Sequence, residues 1–193
     1  MLVSARAIFR AALVTGLLVA FFYGVVFGEK FAPFLVAFIA LMAAFVAYLS
    51  LQQTRELARK KATIDLIETS ESKDYYQERY ASYRAYRRAT SEERVRVAYA
   101  SDKDKRRSAL RQKCWDFLNH YELVAIAGKQ KLIDLDFYGD WMKPNLVRDW
   151  NEAEFLVNSA RGEDRPGDRG NPVAFENFER LAVSWGGKPL CRK

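Results

Sequence analysis

Two uncharged runs, AALVTGLLVAFFYGVVFG (residues 11–28) and FAPFLVAFIALMAAFVAYLSLQQT (residues 31–54), decide how the rest of the chain is read. Arg55, Arg59, Lys60 and Lys61 follow the second run at once. A bilayer core of about 30 Å takes about 20 helical residues, with a floor near 17. The first run sits near that floor, and residues 31–51 meet it comfortably. Glu29, Lys30 and Pro33 leave room only for a short turn between them, which predicts a two-helix transmembrane hairpin. Lys30 is balanced by Glu29, whereas Arg6 and Arg10 precede the first span and four basic residues follow the second. The positive-inside rule therefore makes the chain multi-pass, with both termini cytoplasmic.

A cleaved signal peptide is the rival reading of Arg6, Arg10 and the first run. No small-x-small site lies near residues 23–30, and the run exceeds the usual stretch of about 7–15 apolar residues. Even so cleaved, the chain would keep its second run as a stop-transfer segment.

Ala12, Gly16, Ala20, Gly24 and Gly28 recur every four residues and form one strip along the first helix. Small residues at that spacing let another helix come close. The second span offers Ala37, Ala40, Ala44 and Ala47, so the strips pack inside one hairpin or the first strip joins two chains. Neither span holds an Asp, Glu, Lys, Arg or His. Ion pathways and proton relays need such groups, which argues against a transporter or pump.

The sequence divides into the hairpin (1–54), a cytoplasmic domain (55–185) and a flexible tail (186–193). The domain is long enough to bury roughly two-thirds of its unfolded surface. Gly and Pro are sparse before position 128 and strand alternation is absent, so the fold class is all-α. The second span continues outward to about residue 70, with Leu57, Ile64 and Ile67 at helical spacing. Ser70 and Ser72 are suited to ending it and capping the next helix. That helix reaches about Arg88 and carries Tyr76, Tyr80 and Tyr83 on one stripe. Thr90 to Glu93 reads as a capping box, and Ser101 with Asp104 as another. The helix that follows buries Leu110, Cys114, Phe117, Tyr121 and Val124, and Gly128 ends it. Asp134 caps a helix that Pro144 breaks or kinks after about two turns. Asn145 to about Ala160 is a further helix, and Arg161 to Asn171 a polar loop. Asn171-Pro172 opens a last helix through Trp185, with Pro in the tolerated first position.

The net charge of +7 is concentrated mid-chain: residues 79–113 hold 12 Lys or Arg against four acids, and 114–193 hold 11 against 13. Solvated helix faces, contact with anionic lipid headgroups and nucleic-acid binding compete to explain this. Nucleic acid ranks last, because aromatics do not interleave with the basic run and no binding motif is present.

Chemistry-bearing residues are few. The single histidine, His120, shares a helix face with Asp116 one turn away and lies beside Asn119 and Glu122. Such a cluster either works as an acid–base pair or bonds neighbouring helices, and a lone pair without converging groups favours the second. Cys114 and Cys191 lack metal-ligand spacing, and no metal or cofactor is expected. Asp134, Asp136 and Asp140 suit helix capping better than a cation. Phe137, Tyr138, Trp141 and Trp150 crowd one region, as core or as a partner-binding patch.

The stretches Ala62-Thr-Ile-Asp-Leu-Ile-Glu68, Phe117-Leu-Asn-His-Tyr-Glu-Leu-Val-Ala-Ile126, Asp136-Phe-Tyr138, Val147-Arg-Asp-Trp150, Asn171-Pro172 and Phe178-Glu-Arg-Leu181 resemble a bacterial family of small membrane-anchored proteins. Its members carry a helical domain of unknown function. The likeness spans most of residues 55–185, and the Phe-Leu-Asn-x-Tyr-Glu helix is its most specific piece. The resemblance implies a bacterial inner-membrane helical protein and lends no activity, cofactor or catalytic residue. The expected function is a membrane-anchored helical interaction module that self-associates and touches a protein partner or anionic headgroups. The alternatives are a membrane-bound enzyme or effector using Asn119, His120 and Glu122, and an oligomerising membrane-perturbing effector.

Overall fold

No Gly or Pro interrupts residues 34–72, and the chain answers with one 41-residue helix, α1 (Ala32–Ser72), with Pro33 in its first turn. The computed structural model describes residues 32–162 and 170–190, together with positions 15, 16, 19, 21, 22, 24 and 28. Among the described residues, α1 is the one helix long and apolar enough to cross a bilayer, over Pro33–Thr69. Its large side chains are open to the surroundings; Phe34 is 73% exposed and Leu41 69%. The first run, 11–28, lies mostly outside the described residues, as do Arg6, Arg10, Ala12 and Ala20. The described residues thus hold one long apolar helix, not the two-helix hairpin expected from the sequence.

The chain divides into two compact units, Met1–Arg55 and Glu56–Lys193. The second is all-α. Among the described residues α1 is followed by α2 (Asp74–Arg88), α3 (Ser91–Ala98), α4 (Lys105–Lys129), α5 (Leu135–Asn151), α6 (Glu154–Arg161) and α7 (Glu176–Ser184). Helix α4 is the hub: α2, α3, α6 and α7 all pack on it, and α7 also packs on α5. The expected face of α4 is the buried one, with Cys114, Phe117, Tyr121 and Val124 inside and Leu110 half-buried. Phe117 stacks on Tyr83 at 4.8 Å and meets Tyr80 at 5.6 Å, so the tyrosine stripe of α2 is core. Tyr86 joins it, and Trp150 of α5 meets Phe178 of α7 edge-on at 4.9 Å.

Several boundaries differ from expectation, each for a local reason. The residue entering α2 is Lys73, whose side chain makes no capping bond; neither Ser70 nor Ser72 holds that place. On α1 the residues turned to the core are Thr63, Leu66 and Ile67, while Leu57 and Ile64 are exposed. Thr63 accepts from the Asp134 N–H at 2.9 Å, which ties the far end of α1 to the start of α5. Thr90 does cap α3, but the Glu93 carboxylate holds Arg107 at 2.8 Å, so only one arm of the capping box forms. Asp104 alone caps α4, accepting from the Arg107 N–H at 3.2 Å; Ser101 belongs to the preceding turn.

Gly128 does not stop α4. It lies buried in the last turn, and the chain reverses at Lys131, which takes φ 57°. Glycine is required because a β-carbon at 128 would stand 2.4 Å from Leu135 as α5 returns. Pro144 does not break α5, which runs to Asn151. Pro144 and Asp140 are both exposed, so water can satisfy the carbonyl that the missing N–H leaves open. The break falls at Glu152-Ala153 instead. Asn171-Pro172 forms a turn in which Asn171 accepts from the Val173 N–H at 3.2 Å, and α7 starts only after Phe175. Of the expected polar loop, Arg161 is the buried end of α6, paired with Glu179 at 2.7 Å. The tail is anchored as far as Leu190: Trp150 donates to the Lys188 carbonyl at 2.8 Å, and Asn151 accepts from the Lys188 N–H at 2.8 Å. Cys191 lies outside the described residues.

Alanine is a better helix former than glycine by about 1 kcal/mol, yet Gly128→Ala is expected to lower stability. Overpacking against Leu135 costs about 1–3 kcal/mol, and a lower urea midpoint at unchanged slope is the measurement that checks it.

Candidate functional site

Tyr83 and Arg87 stand one turn apart on α2 and so face the same neighbour. That neighbour is Asp149 of α5, whose side chain is fully buried. The Arg87 guanidinium donates to Oδ1 of Asp149, and the Arg148 Nε reaches the same oxygen at 3.2 Å. Tyr121 of α4 donates to Oδ2 at 3.1 Å, and the Tyr83 hydroxyl donates to the Asp149 main-chain carbonyl. Three helices thus converge on one residue. Burial raises the carboxyl above its ordinary range, against the pull of Arg148 and Arg87.

A cavity of about 400 Å³ opens beside this cluster. Tyr76 and Tyr80 of α2 form one wall, and Trp141, Met142 and Asn145 of α5 another. Ile67 and Gln77 complete the rim. The buried end is made by Tyr121, Tyr138 and Asp149. Trp141 is 61% exposed, whereas the Tyr138 hydroxyl is buried and has no hydrogen-bond partner among the described residues. Burial pushes the Tyr138 phenol far above its usual range, so it keeps its proton at any physiological pH.

None of Asp116, Asn119, His120 and Glu122 lines this cavity. Asp116 accepts from Arg79 at 3.3 Å and from Gln112 at 2.9 Å. Glu122 reaches across to α7, accepting from the Asn177 side chain at 2.7 Å and the Phe178 N–H at 2.7 Å. It caps that helix from a distance, where Phe175 has no capping group to offer. Asn119 is exposed, and the His120 ring meets Tyr76 edge-on at 4.9 Å. Asp116, His120 and Glu122 therefore bond or pack against separate neighbours, and Asn119 lies exposed. Burial pushes the His120 imidazole down to about 4 and the Cys114 thiol up to about 12.

The remaining candidates divide in the same way. Asp134 caps α5 through the Phe137 N–H at 3.1 Å, and Asp136 and Asp140 are exposed. Tyr138 and Trp150 are core, while Phe137 and Trp141 are not. Arg55, Lys60 and Lys61 are exposed; Arg59 is half-buried. At Gly16 an added β-carbon would lie 3.8 Å from Phe38, and at Gly24 it would meet nothing within 4 Å among the described residues. Gly28 takes φ +68°, the region that favours glycine. The basic run is mostly structural: Arg79, Arg94, Arg107 and Lys113 hold Asp116, Glu152, Glu93 and Glu78. Sequence reading missed Asp149 as an organising residue. The signal was a carboxylate flanked by Val147 and Trp150 on a buried helix face, where an acid requires partners.

The model of a family described as a domain of unknown function, DUF4760, matches residues 37–185. No curated protein and no solved structure matches significantly.

Asp149→Ala leaves the half-buried Arg87 and the buried Tyr121 without their acceptor and is expected to cost about 3 kcal/mol or more. Glu92→Ala, which breaks an exposed pair with Arg96, should cost under about 1 kcal/mol. Urea unfolding followed by circular dichroism separates the two. His120 is neutral in the folded chain while an unfolded one charges near pH 6.5. The unfolded state thus binds the extra proton, and stability falls as pH drops from 6.5 toward 4. The expected loss by pH 5 is roughly 2 kcal/mol, and His120→Gln should remove that component of the pH profile.

Proposed function

The chain belongs to the DUF4760 family, a membership that brings no activity with it, and on that premise we propose a membrane-anchored interaction module. In this reading residues 11–28 and 31–51 form a two-span hairpin in a bacterial inner membrane, with both termini and the helical domain in the cytoplasm. The carrying observation is α1: one helix in which Pro33–Thr69 is long and apolar enough to cross a bilayer, with a dense basic cluster from Arg55 to Lys61. A helix so exposed and so apolar needs a hydrocarbon surround, and the basic cluster marks its cytoplasmic end.

The module self-associates through the strip Gly16, Ala20, Gly24 and Gly28. Among the described residues a β-carbon added at Gly24 would meet nothing within 4 Å, which supports this, while at Gly16 it would meet Phe38 of the same chain at 3.8 Å. Arg84, Arg88, Lys103, Lys105 and Arg106 are exposed and make no ion pair among the described residues. They are the charges left over for a protein partner or for anionic headgroups once the structural pairs are formed.

Full-length chain is expected to stay in the membrane fraction after an alkaline carbonate wash, and Lys193 to resist an impermeant amine reagent added outside intact cells. Release into the aqueous fraction, or labelling of Lys193 itself from outside, overturns the anchor and its orientation. Gly24→Leu should lower the oligomeric state in mild detergent without releasing the chain from the membrane; an unchanged oligomer removes the self-association.

A further inference from the structure

We propose that the cavity between α2 and α5 is a binding site for an uncharged, planar nitrogen heterocycle of the nucleobase kind. The site lies within Glu56–Lys193 and does not depend on the membrane anchor. Its volume of about 400 Å³ falls within the range of small-molecule sites, roughly 300–1,000 Å³. The reachable walls are aromatic: Tyr76 and Tyr80 half-buried on one side, and Trp141, 61% exposed, on the other. Flat rings stack on such side chains whatever their sequence of substituents.

Charge selects against ions. Among the described residues that line the cavity Asp149 is the one carboxylate and none is Lys, Arg or His, and Arg87 and Arg148 already hold the Asp149 carboxylate. An incoming cation would meet two guanidiniums set against a single carboxylate. An incoming anion would have to compete with Asp149 for them. A neutral ligand avoids both conflicts.

Polar groups specify an edge. Asn145 carries an amide at the cavity wall, and an amide offers a donor and an acceptor side by side. That pairing complements the alternating donor and acceptor edge of a nucleobase, as in amide recognition of adenine. At the buried end the Tyr138 hydroxyl has no partner among the described residues although the residue is only 1% exposed. A buried hydroxyl left unmade is a standing cost that a ligand group reaching this end would remove. The aromatic walls, the compensated charge and the orphan hydroxyl each point to the same kind of molecule.

The test uses the full chain in lipid nanodiscs and equilibrium dialysis against adenosine, guanosine and uridine, with choline as the cationic comparison. At least one nucleoside should bind and choline should not. Trp141→Ala removes an exposed wall without touching the core, and is expected to weaken nucleoside binding about tenfold or more. Tyr138→Phe should weaken it severalfold while leaving the melting midpoint equal or higher, since an unsatisfied hydroxyl is lost. If Tyr138→Phe does not fold, the Trp141→Ala arm decides alone. Absence of nucleoside binding at millimolar concentration, tighter binding of choline, or undiminished binding in Trp141→Ala overturns the site. A chain that fails here but stays in the membrane fraction loses its ligand site and keeps its anchor.

Discussion

The buried carboxylate of Asp149 is the constraint on which the helical domain depends. Taking a charge out of water costs several kcal/mol, and the penalty is tolerable only where its lone pairs are filled. Arg87 from α2, Tyr121 from α4 and the adjacent Arg148 fill them, and Tyr83 binds the carbonyl of the same residue. Apolar packing alone would tolerate small slides of α2 and α5 against α4. A carboxylate that must meet a guanidinium and a phenol at once does not, so the cluster sets register as well as contributing energy.

Helix α4 supplies the second organising idea. Its inward face is apolar, but its flanks carry acids that act as struts. Asp116 holds Arg79 on α2, and Glu122 supplies the capping acceptor that α7 lacks. These residues together with His120 offered the alternative reading of an active site, with bonding between helices the favoured one. In three dimensions each is occupied with a different neighbour. The concave surface forms instead one helix away, between the tyrosines of α2 and the Trp141–Asn145 segment of α5.

How much was legible follows from the range of the forces involved. The all-α class, the long first described helix, the tyrosine stripe of α2 and the buried face of α4 are local periodicities, and they appear where the spacing put them. Caps that rest on one side chain and one N–H three residues away, Thr90, Asp104 and Asp134, were equally readable. Gly128, Pro144 and Asn171-Pro172 were misjudged because their usual meaning as breakers assumes a free chain. Gly128 is glycine so that Leu135 can approach, and Pro144 is tolerated because its open carbonyl lies on an exposed stretch.

By itself the sequence determined the all-α class, the apolar face of α4 and the tyrosine stripe of α2, and that one long segment is apolar enough to cross a bilayer, since all of these depend on neighbours within a few turns. Only the tertiary structure decided that Asp149 is a junction, that Glu122 caps a helix 55 positions onward, and that an aromatic cavity exists with an unpaired hydroxyl at its buried end. Those properties belong to pairs of residues far apart in the chain. Their distances are set by how the helices pack, which no local pattern encodes.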